Sequence, residues 1–247
     1  MTESTLRLVI DQDPDPALDT ALSAAILHRV ASGEIGPTLR LFTPGRIVAF
    51  GGQDRTQPGY AAAVEAVHQL GFTPVQRLAG GTAAASHEGT IAFAWSTPHR
   101  DPKVDIEARF QAASSIVVDA LARLGLAGSV GEVPGEYCPG RFSVHMDGFK
   151  VMGVGQRLIR SAAHVGGVLT VHSPDLTNRP LIPVYRSLGY NWNPETTGAI
   201  GRSVDEVFPA LTAAFTSAGF ALRTSSIKPE TLTLATTLVH DHQPRIA

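Results

Sequence analysis

The chain has 247 residues, of which 43% are hydrophobic and 17% are charged, and its formal net charge is −2. A chain of this length can bury one sizeable core, so we expect a single domain over residues 1–247. The slightly negative net charge argues against the basic surface that nucleic-acid binding requires. No apolar run reaches the roughly 18 to 20 residues of a membrane span, and residues 1–16 lack the order of a signal peptide, so the sequence predicts a cytoplasmic protein.

Hydrophobic periodicity and turn residues predict helices and strands in alternating groups. The first helix opens at Pro16 with Asp15 as its cap, and the last has the capping-box spacing from Ser203 to Glu206. In chain order the predicted elements are a helix in 14–30, two short strands joined by Pro44-Gly45, a helix in 58–72 that ends at Gly71, a strand, glycine turn and strand in 73–95, a helix in 104–126 that ends at Gly125, two strands around 147–150, a strand in 164–172 and a last helix in 203–220.

Residues 173–200 are rich in proline and asparagine and poor in periodicity. We interpret them as a functional or partly ordered connection within the domain. Strands linked by hairpins, with helices between the groups, predict an α+β fold with a central mixed β-sheet and helices packed mainly on one side.

The segment RLAGGTAAASHEG, residues 77–89, follows a predicted strand. Gly80 and Gly81 allow positive φ and bring backbone amides close to a ligand, and the small residues from Thr82 onward leave a groove without bulk. The segment lacks both the dinucleotide-binding and the P-loop patterns. Taken alone, it also fits a plain hairpin or bulge.

The segment DGFKVMGVGQR, residues 147–157, begins with hairpin-turn chemistry at Asp147-Gly148. Lys150 then opens the returning strand, which Gly153 and Gly155 keep thin. A lysine in this position can donate to a carbonyl oxygen on which charge develops during acyl transfer. A solvated lysine beside a turn is the alternative.

The only cysteine, Cys138, lies in the turn-forming segment GEYCPG between Tyr137 and Pro139. A thiol is a strong nucleophile only as the thiolate, which requires partial exposure and a positive neighbour or a base. An incidental loop thiol is the alternative at this point. The candidate bases are His145, His87 and His164. No metal site is expected, because His240-Asp241-His242 lacks a third ligand.

Together, RLAGGTAAASHEGTIAFAW and the later DGFKVMGVGQR resemble the biotin/lipoate A/B protein ligase superfamily over roughly residues 15–170. The segment EYCPGRFSV, residues 136–144, is similar to one branch, the octanoyl-[glycine cleavage H protein]:protein octanoyltransferases. The resemblance implies the biotin/lipoate protein ligase catalytic fold, which is class II synthetase-like.

The resemblance also implies a mechanism in which Cys138 takes an octanoyl or lipoyl group from an acylated lysine as a thioester and passes it to a lysine of a lipoyl domain. In the same implied mechanism, Lys150 is the residue that binds the carbonyl group of the acyl chain. The implied partners are the glycine cleavage H protein and the E2 subunits of 2-oxoacid dehydrogenases, and no cofactor is required. We expect a monomer, because nothing in the sequence demands more. The implied acyl- or substrate-binding residues are Arg77, Gly80, Gly81, Thr82, Ala83, Gly153, Gln156 and Arg157.

The chain departs from the ATP-using ligases at three places: Phe142-Ser143, Ser86-His87 and Val165-Gly166-Gly167 replace their polar groups. These departures weaken the prediction of an adenylating enzyme. Two alternatives stay open: an ATP-dependent lipoate-protein ligase, which would use ATP and Mg and leave Cys138 as a bystander, and a non-catalytic acyl or lipoyl-domain binding homologue. Arg157 and Arg160 could contact an acidic lipoyl domain or a nucleotide phosphate, or they could be solvated charges at the end of a strand.

Overall fold

The computed structural model describes residues 4–246, so the ends of the predicted domain, residues 1–3 and 247, lie outside the described residues. Within this range the chain forms an eight-stranded sheet, a three-stranded sheet and six α-helices. No helix of residues 4–246 has the length and apolar character needed to cross a membrane. The strands are β1 (Ser4–Ile10), β2 (Thr38–Phe42), β3 (Ile47–Phe50), β4 (Thr73–Gln76), β5 (Ala84–Ser86), β6 (Thr90–Pro98), β7 (Ser129–Val130), β8 (Val144–Met146), β9 (Phe149–Ile159), β10 (Ala162–Thr170) and β11 (Phe220–Thr224), and the helices are α1 (Pro16–Ala31), α2 (Tyr60–Gln69), α3 (Ile106–Arg123), α4 (Pro174–Leu188), α5 (Val204–Ser217) and α6 (Pro229–Leu238).

The large sheet has the strand order β11-β1-β2-β6-β10-β9-β8-β7. Strand β1 runs parallel to both β2 and β11, whereas β6 is antiparallel to β2 and β10, so the sheet is mixed. The predicted α+β class with a central mixed sheet and flanking helices is confirmed.

Helices cover both faces of the large sheet. Leu39 and Leu41 of β2 belong to the same core as Ile116 of α3, while Arg40 between them pairs with Asp19 of α1 on the opposite face. The prediction that helices pack mainly on one side is therefore wrong. The physical reason is that these strands bury both of their faces, which alternation by itself does not reveal.

Strands β2 and β3 do not pair with each other, although Pro44-Gly45 joins them as predicted. Strand β3 is instead the centre of the small sheet, parallel to β4 and antiparallel to β5. Residues 77–83, between β4 and β5, are thereby carried toward the large sheet, where Gly80 N donates to Gln156 O of β9.

The predicted helix ends are confirmed. Asp15 accepts from the N–H groups of Ala17 and Leu18, and Ser203 and Glu206 form a capping box. Gly71 and Gly125 follow their helices with φ of 76° and 73°, the left-handed conformation that favours glycine.

The interpretation of residues 173–200 as a connection is wrong over its first half, which is α4. Pro180 and Pro183 lie inside this helix and obscure its periodicity. The helix forms because Leu181, Val184 and Tyr185 are buried against α2 and the small sheet, and such packing outweighs local propensity. Strands β1, β5, β7 and β11 were not predicted either, nor was α6, which follows the helix expected to be last.

Candidate active site

A cavity of about 150 Å³ lies where the small sheet faces the large one. Its floor is made of residues paired across four strands: Gly153 of β9 lies opposite Val168 of β10, which lies opposite Ala92 of β6, which lies opposite Phe42 of β2. These four residues are glycine or have apolar side chains, and covering such a surface with an apolar chain is favourable. The floor is therefore suited to an apolar chain.

Cys138 lines this cavity and is half-buried. Its backbone adopts φ 42°, a left-handed conformation that is uncommon for a residue with a side chain. The strain is held by Tyr185 of α4, whose Oη accepts from Cys138 N at 2.7 Å and donates to Ala83 O at 2.9 Å. One hydroxyl thus joins the cysteine turn to the segment before β5.

Arg77 provides the positive neighbour that a reactive thiol requires. Its Nη1 lies 3.3 Å from Cys138 Sγ and donates to Thr82 O at 2.8 Å. Gly81, at φ 114°, makes room for both groups, because a Cβ there would lie 2.7 Å from Sγ and 2.8 Å from Nη1. Gly80 has open space around its Cβ position among the described atoms.

The pKa of the Cys138 thiol lies below its ordinary value. Burial is the largest influence and raises this pKa, but the charges of Arg77 and Lys150, with hydrogen bonds from Arg77 and the Thr82 amide, lower it by more in total. The thiolate is consequently favoured at neutral pH relative to a free cysteine.

Lys150 lies beneath the cysteine turn with its side chain fully buried. Its Nζ donates to Tyr137 O at 2.7 Å and Cys138 O at 2.9 Å, and it pairs with Glu136 Oε1 at 3.1 Å. Burial lowers the pKa of Lys150 more than Cys138 and Glu136 raise it. Its three donors therefore hold the turn in this conformation, and its binding of an acyl carbonyl stays a prediction.

Glu136 is a site residue that the sequence analysis missed. Its carboxylate accepts from Gly140 N at 2.9 Å, Ser143 Oγ at 2.7 Å and Val133 N at 3.2 Å, in addition to the pairing with Lys150. Through these contacts the buried carboxylate holds residues 133–143 in the conformation of the cysteine turn. The available signal was an acidic residue two positions before the cysteine in a segment with apolar neighbours. Tyr185 offered no comparable signal.

The fold brings together most of the predicted substrate-binding residues. Arg77, Gly81, Thr82, Ala83 and Gly153 all lie within the cavity wall or the contacts just described. Two others lie elsewhere. The amide of Gln156 binds Arg109 and Ile106 of α3, and the side chain of Arg157 is exposed at the far part of β9.

Among the described histidines proposed as bases, one lines the cavity: His164 of β10. His87 is buried elsewhere, with Nδ1 accepting from Gly89 N at 3.0 Å and Nε2 3.2 Å from Thr177 Oγ1. His145 lies on β8 opposite Lys150. Burial lowers the pKa of both His87 and His164 to about 4. Over residues 4–246, no group of three or more His, Cys, Asp or Glu is placed to hold a metal ion.

Comparison with known proteins adds a family match and several relatives. A model of the lipoyl protein ligase A/B catalytic domain matches residues 15–184. An octanoyl-[GcvH]:protein N-octanoyltransferase of Anoxybacillus flavithermus is 28% identical over 169 residues, which cover 67% of this chain and 61% of that protein. The one of Geobacillus kaustophilus is 27% identical over 186 residues, with coverage of 73% and 66%. The chain thus spans less than two thirds of the length of these two relatives.

Solved structures share the fold. A crystal structure of lipoate-protein ligase A bound with ATP superposes with a TM-score of 0.79 at 22% identity, covering 97% of this chain and 95% of that one. A bi-partite lipoate protein ligase from Thermoplasma acidophilum gives 0.71 at 21% identity, with coverage of 97% and 93%. At these identities the likeness concerns the arrangement of helices and strands.

Proposed function

Because the chain belongs to the lipoyl protein ligase A/B catalytic domain family, we propose that it is an acyl-protein transferase that moves an octanoyl or lipoyl group onto a lysine of a lipoyl domain. Its relatives named octanoyl-[GcvH]:protein N-octanoyltransferase support this reaction, and so does a lipoyl-[GcvH]:protein N-lipoyltransferase of Listeria monocytogenes, 23% identical over 186 residues. The glycine cleavage H protein is the proposed donor, and E2 subunits are the proposed acceptors.

The observation that carries the proposal is a thiol of lowered pKa at the wall of a cavity suited to an acyl chain. In the first step the Cys138 thiolate attacks the carbonyl carbon of an acylated lysine. The C–N bond breaks and a thioester forms, while the leaving lysine nitrogen takes up from solvent a proton equivalent to the one that the thiol released, and departs as a neutral amine. In the second step the amine of the acceptor lysine attacks the thioester, which regenerates the thiol and an amide. Amide bonds are exchanged, so neither ATP nor a cofactor is consumed.

Arg77 is proposed to act at two stages of the reaction, before the thiolate attacks and when charge develops on the carbonyl oxygen. Its Nη1 is 3.3 Å from Sγ, so it stabilises the thiolate before attack. Once sulfur carries the acyl group, the same guanidinium is within reach of the carbonyl oxygen, where negative charge develops. The Cys138 N–H is occupied by Tyr185, which leaves the Arg77 side chain and the Thr82 amide, the two groups that hydrogen-bond the thiol, as the donors near this position.

Lys150 is proposed to hold the cysteine turn and to favour the thiolate through its charge. The family resemblance implies that Lys150 binds the acyl carbonyl. For this, Lys150 Nζ would have to exchange one of its three present acceptors for the carbonyl oxygen. Gly153, whose Cβ position lies 3.4 Å from Lys150 Cε, leaves room for such a movement. Action of the whole chain as one cytoplasmic, monomeric domain stays a prediction.

Intact-mass measurement tests this function. The protein is mixed with octanoylated H protein without ATP, and the expected result is a mass gain of one octanoyl group on Cys138, absent in Cys138→Ser. Addition of an unmodified lipoyl domain should discharge the adduct onto its lysine. Acylation of the carrier only when ATP and the free acid are supplied would instead establish a ligase. Complex formation without any adduct would establish a binding protein.

A further inference from the structure

The cavity lining is not uniformly apolar. Small residues of β6, β9 and β10 make most of its floor, yet several polar side chains also reach it that the proposed acyl exchange does not use. They are Asp19, Thr20 and Ser23 of α1, Ser86 of β5 and His164 of β10. Asp19 is already paired with Arg40, and Thr20 Oγ1 donates to Pro16 O at 2.9 Å. A polar atom of the lining without such a partner opposes the binding of an unsubstituted hydrocarbon chain, because the chain would bury that atom unpaired.

His164 is the member whose unpaired atom is aimed at the cavity. The residue is 3% exposed. Its Nδ1 lies 3.3 Å from Ser96 Oγ, and within residues 4–246 no hydrogen-bond partner faces Nε2. That Nε2 lies 2.7 Å from the point where a Cβ on Gly166 would stand. Since Gly166 forms the floor between Gly155 and Ala94, the imidazole extends over the floor.

The imidazole is a neutral hydrogen-bonding group in this position. Burial lowers the pKa of His164 to about 4, so the ring carries one N–H donor and one acceptor at neutral pH. Ser23 adds a second polar group, because its hydroxyl accepts from buried Arg40 at 3.2 Å and so keeps its own proton to donate. Buried polar atoms rarely lack partners, and an unpaired one facing a cavity points to a ligand atom.

An acyl chain attached to Cys138 would pass this group. Arg77, which contacts Sγ, lies over Gly155 of β9. From β9 the cavity crosses β10 and β6 to β2 and α1, three strand spacings or about 14 Å. The first strand crossed is β10, which carries Gly166 and His164. Atoms of the chain beyond the carbonyl therefore meet Nε2 before they reach α1.

We propose that His164 is a specificity-determining residue that hydrogen-bonds a sulfur or oxygen atom carried by the acyl chain beyond its carbonyl. This inference rests on the proposed acyl transfer and names its substrate class. A heteroatom-bearing chain, of which lipoyl with its ring sulfurs is one form, is bound in preference to plain octanoyl. Bound octanoyl would cover Nε2 without offering it a hydrogen-bond partner, whereas a sulfur or oxygen atom on the chain would offer one.

Binding of free acids measures the preference without any chemical step. The probes are octanoic, lipoic and ω-hydroxyoctanoic acids, titrated calorimetrically into wild type, His164→Leu, His164→Gln and the exposed-surface control His68→Leu. In wild type we expect a heteroatom acid to bind roughly tenfold more tightly than octanoic acid. His164→Leu should bring the ratio near one, His164→Gln should retain part of it, and His68→Leu should keep it unchanged.

Equal affinity for all three acids in wild type would overturn the inference, as would a ratio that His164→Leu leaves intact. Thermal unfolding of each variant distinguishes lost selectivity from lost folding, and the ratio within one variant is independent of the folded fraction. If the protein transfers acyl groups but does not distinguish heteroatom-bearing chains from octanoyl, the role of His164 is wrong and the proposed function still holds. If the protein binds heteroatom-bearing acids selectively but forms no thioester on Cys138, the proposed acyl transfer is wrong and the role of His164 in binding still holds.

Discussion

Arg77 and Cys138 are separated by 61 positions in the chain, yet Arg77 Nη1 lies 3.3 Å from Cys138 Sγ. The contact joins the segment after β4 to the turn before β8. It makes the state of the thiol depend on a residue that no local pattern around the cysteine contains.

Replacement of Arg77 should reduce the reactivity of Cys138. In Arg77→Gln the opposing effect of burial is no longer offset by the guanidinium, so the thiol pKa rises and less thiolate is present at neutral pH. We expect alkylation by iodoacetamide at pH 7 to slow roughly tenfold and its pH profile to move upward. Cys138 is the only cysteine, so the whole signal reports on it. The exposed control Arg55→Gln should react like wild type, and an unchanged Arg77→Gln profile would refute the pairing.

A methyl group at Gly81 should disrupt the same contact. Gly81→Ala places a Cβ 2.7 Å from Sγ and 2.8 Å from Arg77 Nη1, at a φ of 114° that alanine disfavours. We expect alkylation and acyl transfer to fall at least tenfold. The adjacent Gly80→Ala is the matched control, because open space surrounds its Cβ position among residues 4–246. Equal losses of alkylation and acyl transfer in Gly81→Ala and Gly80→Ala would contradict the explanation by crowding of Sγ and Arg77 Nη1.

Removal of the Glu136 charge should destabilise the fold. Glu136→Gln leaves the buried ammonium of Lys150 without its counterion, and breaking a buried pair in this way costs about 3 kcal/mol or more. Urea unfolding measures the loss. Addition of Lys150→Met should restore much of the stability but not the turn, because the bonds to Tyr137 O and Cys138 O are absent. Glu107→Gln, at an exposed ion pair with Arg141, should change little.

The hydroxyl of Tyr185 should matter more than that of a tyrosine without partners. Tyr185→Phe leaves the Cys138 N–H and the Ala83 carbonyl without their partner, a loss of roughly 1 to 3 kcal/mol in the free energy of unfolding. Tyr60→Phe is the matched control, since Tyr60 Oη is buried and has no hydrogen-bond partner in the described chain. Its removal should be neutral or stabilising. Acyl transfer should fall in Tyr185→Phe alone, and comparable effects would contradict the role of the Tyr185 hydroxyl.

Stability should decline between pH 7 and pH 5. His87 and His164 have pKa values lowered from 6.5 to about 4, so the unfolded chain binds more protons in this window and stability is lost as pH falls. Each histidine contributes about 2 kcal/mol to the decline. Urea unfolding at both pH values should show a decline smaller by about that amount in His164→Leu. An identical decline in the two proteins would mean that His164 is not held neutral by burial.

Local patterns predicted the helices that carry their own end signals. Asp15 before Pro16 and the box from Ser203 to Glu206 depend on neighbouring atoms only, so their capping bonds can be inferred from the chain itself. The same holds for the hairpin that places Lys150 after Asp147-Gly148. Where burial decided the conformation, as in α4 with its two internal prolines, local patterns failed.

The sequence by itself determined the α+β class, the strong helices and the three segments that meet at the site, because short-range capping, turn and periodicity rules depend on adjacent residues. Only the tertiary structure decided that Arg77 faces the thiol, that Glu136 and Lys150 form a buried pair beneath it, and that Tyr185 binds its backbone. Those contacts join residues far apart in the chain. Their hydrogen bonds and charge interactions act over a few ångströms in space, a proximity that no pattern along the chain records.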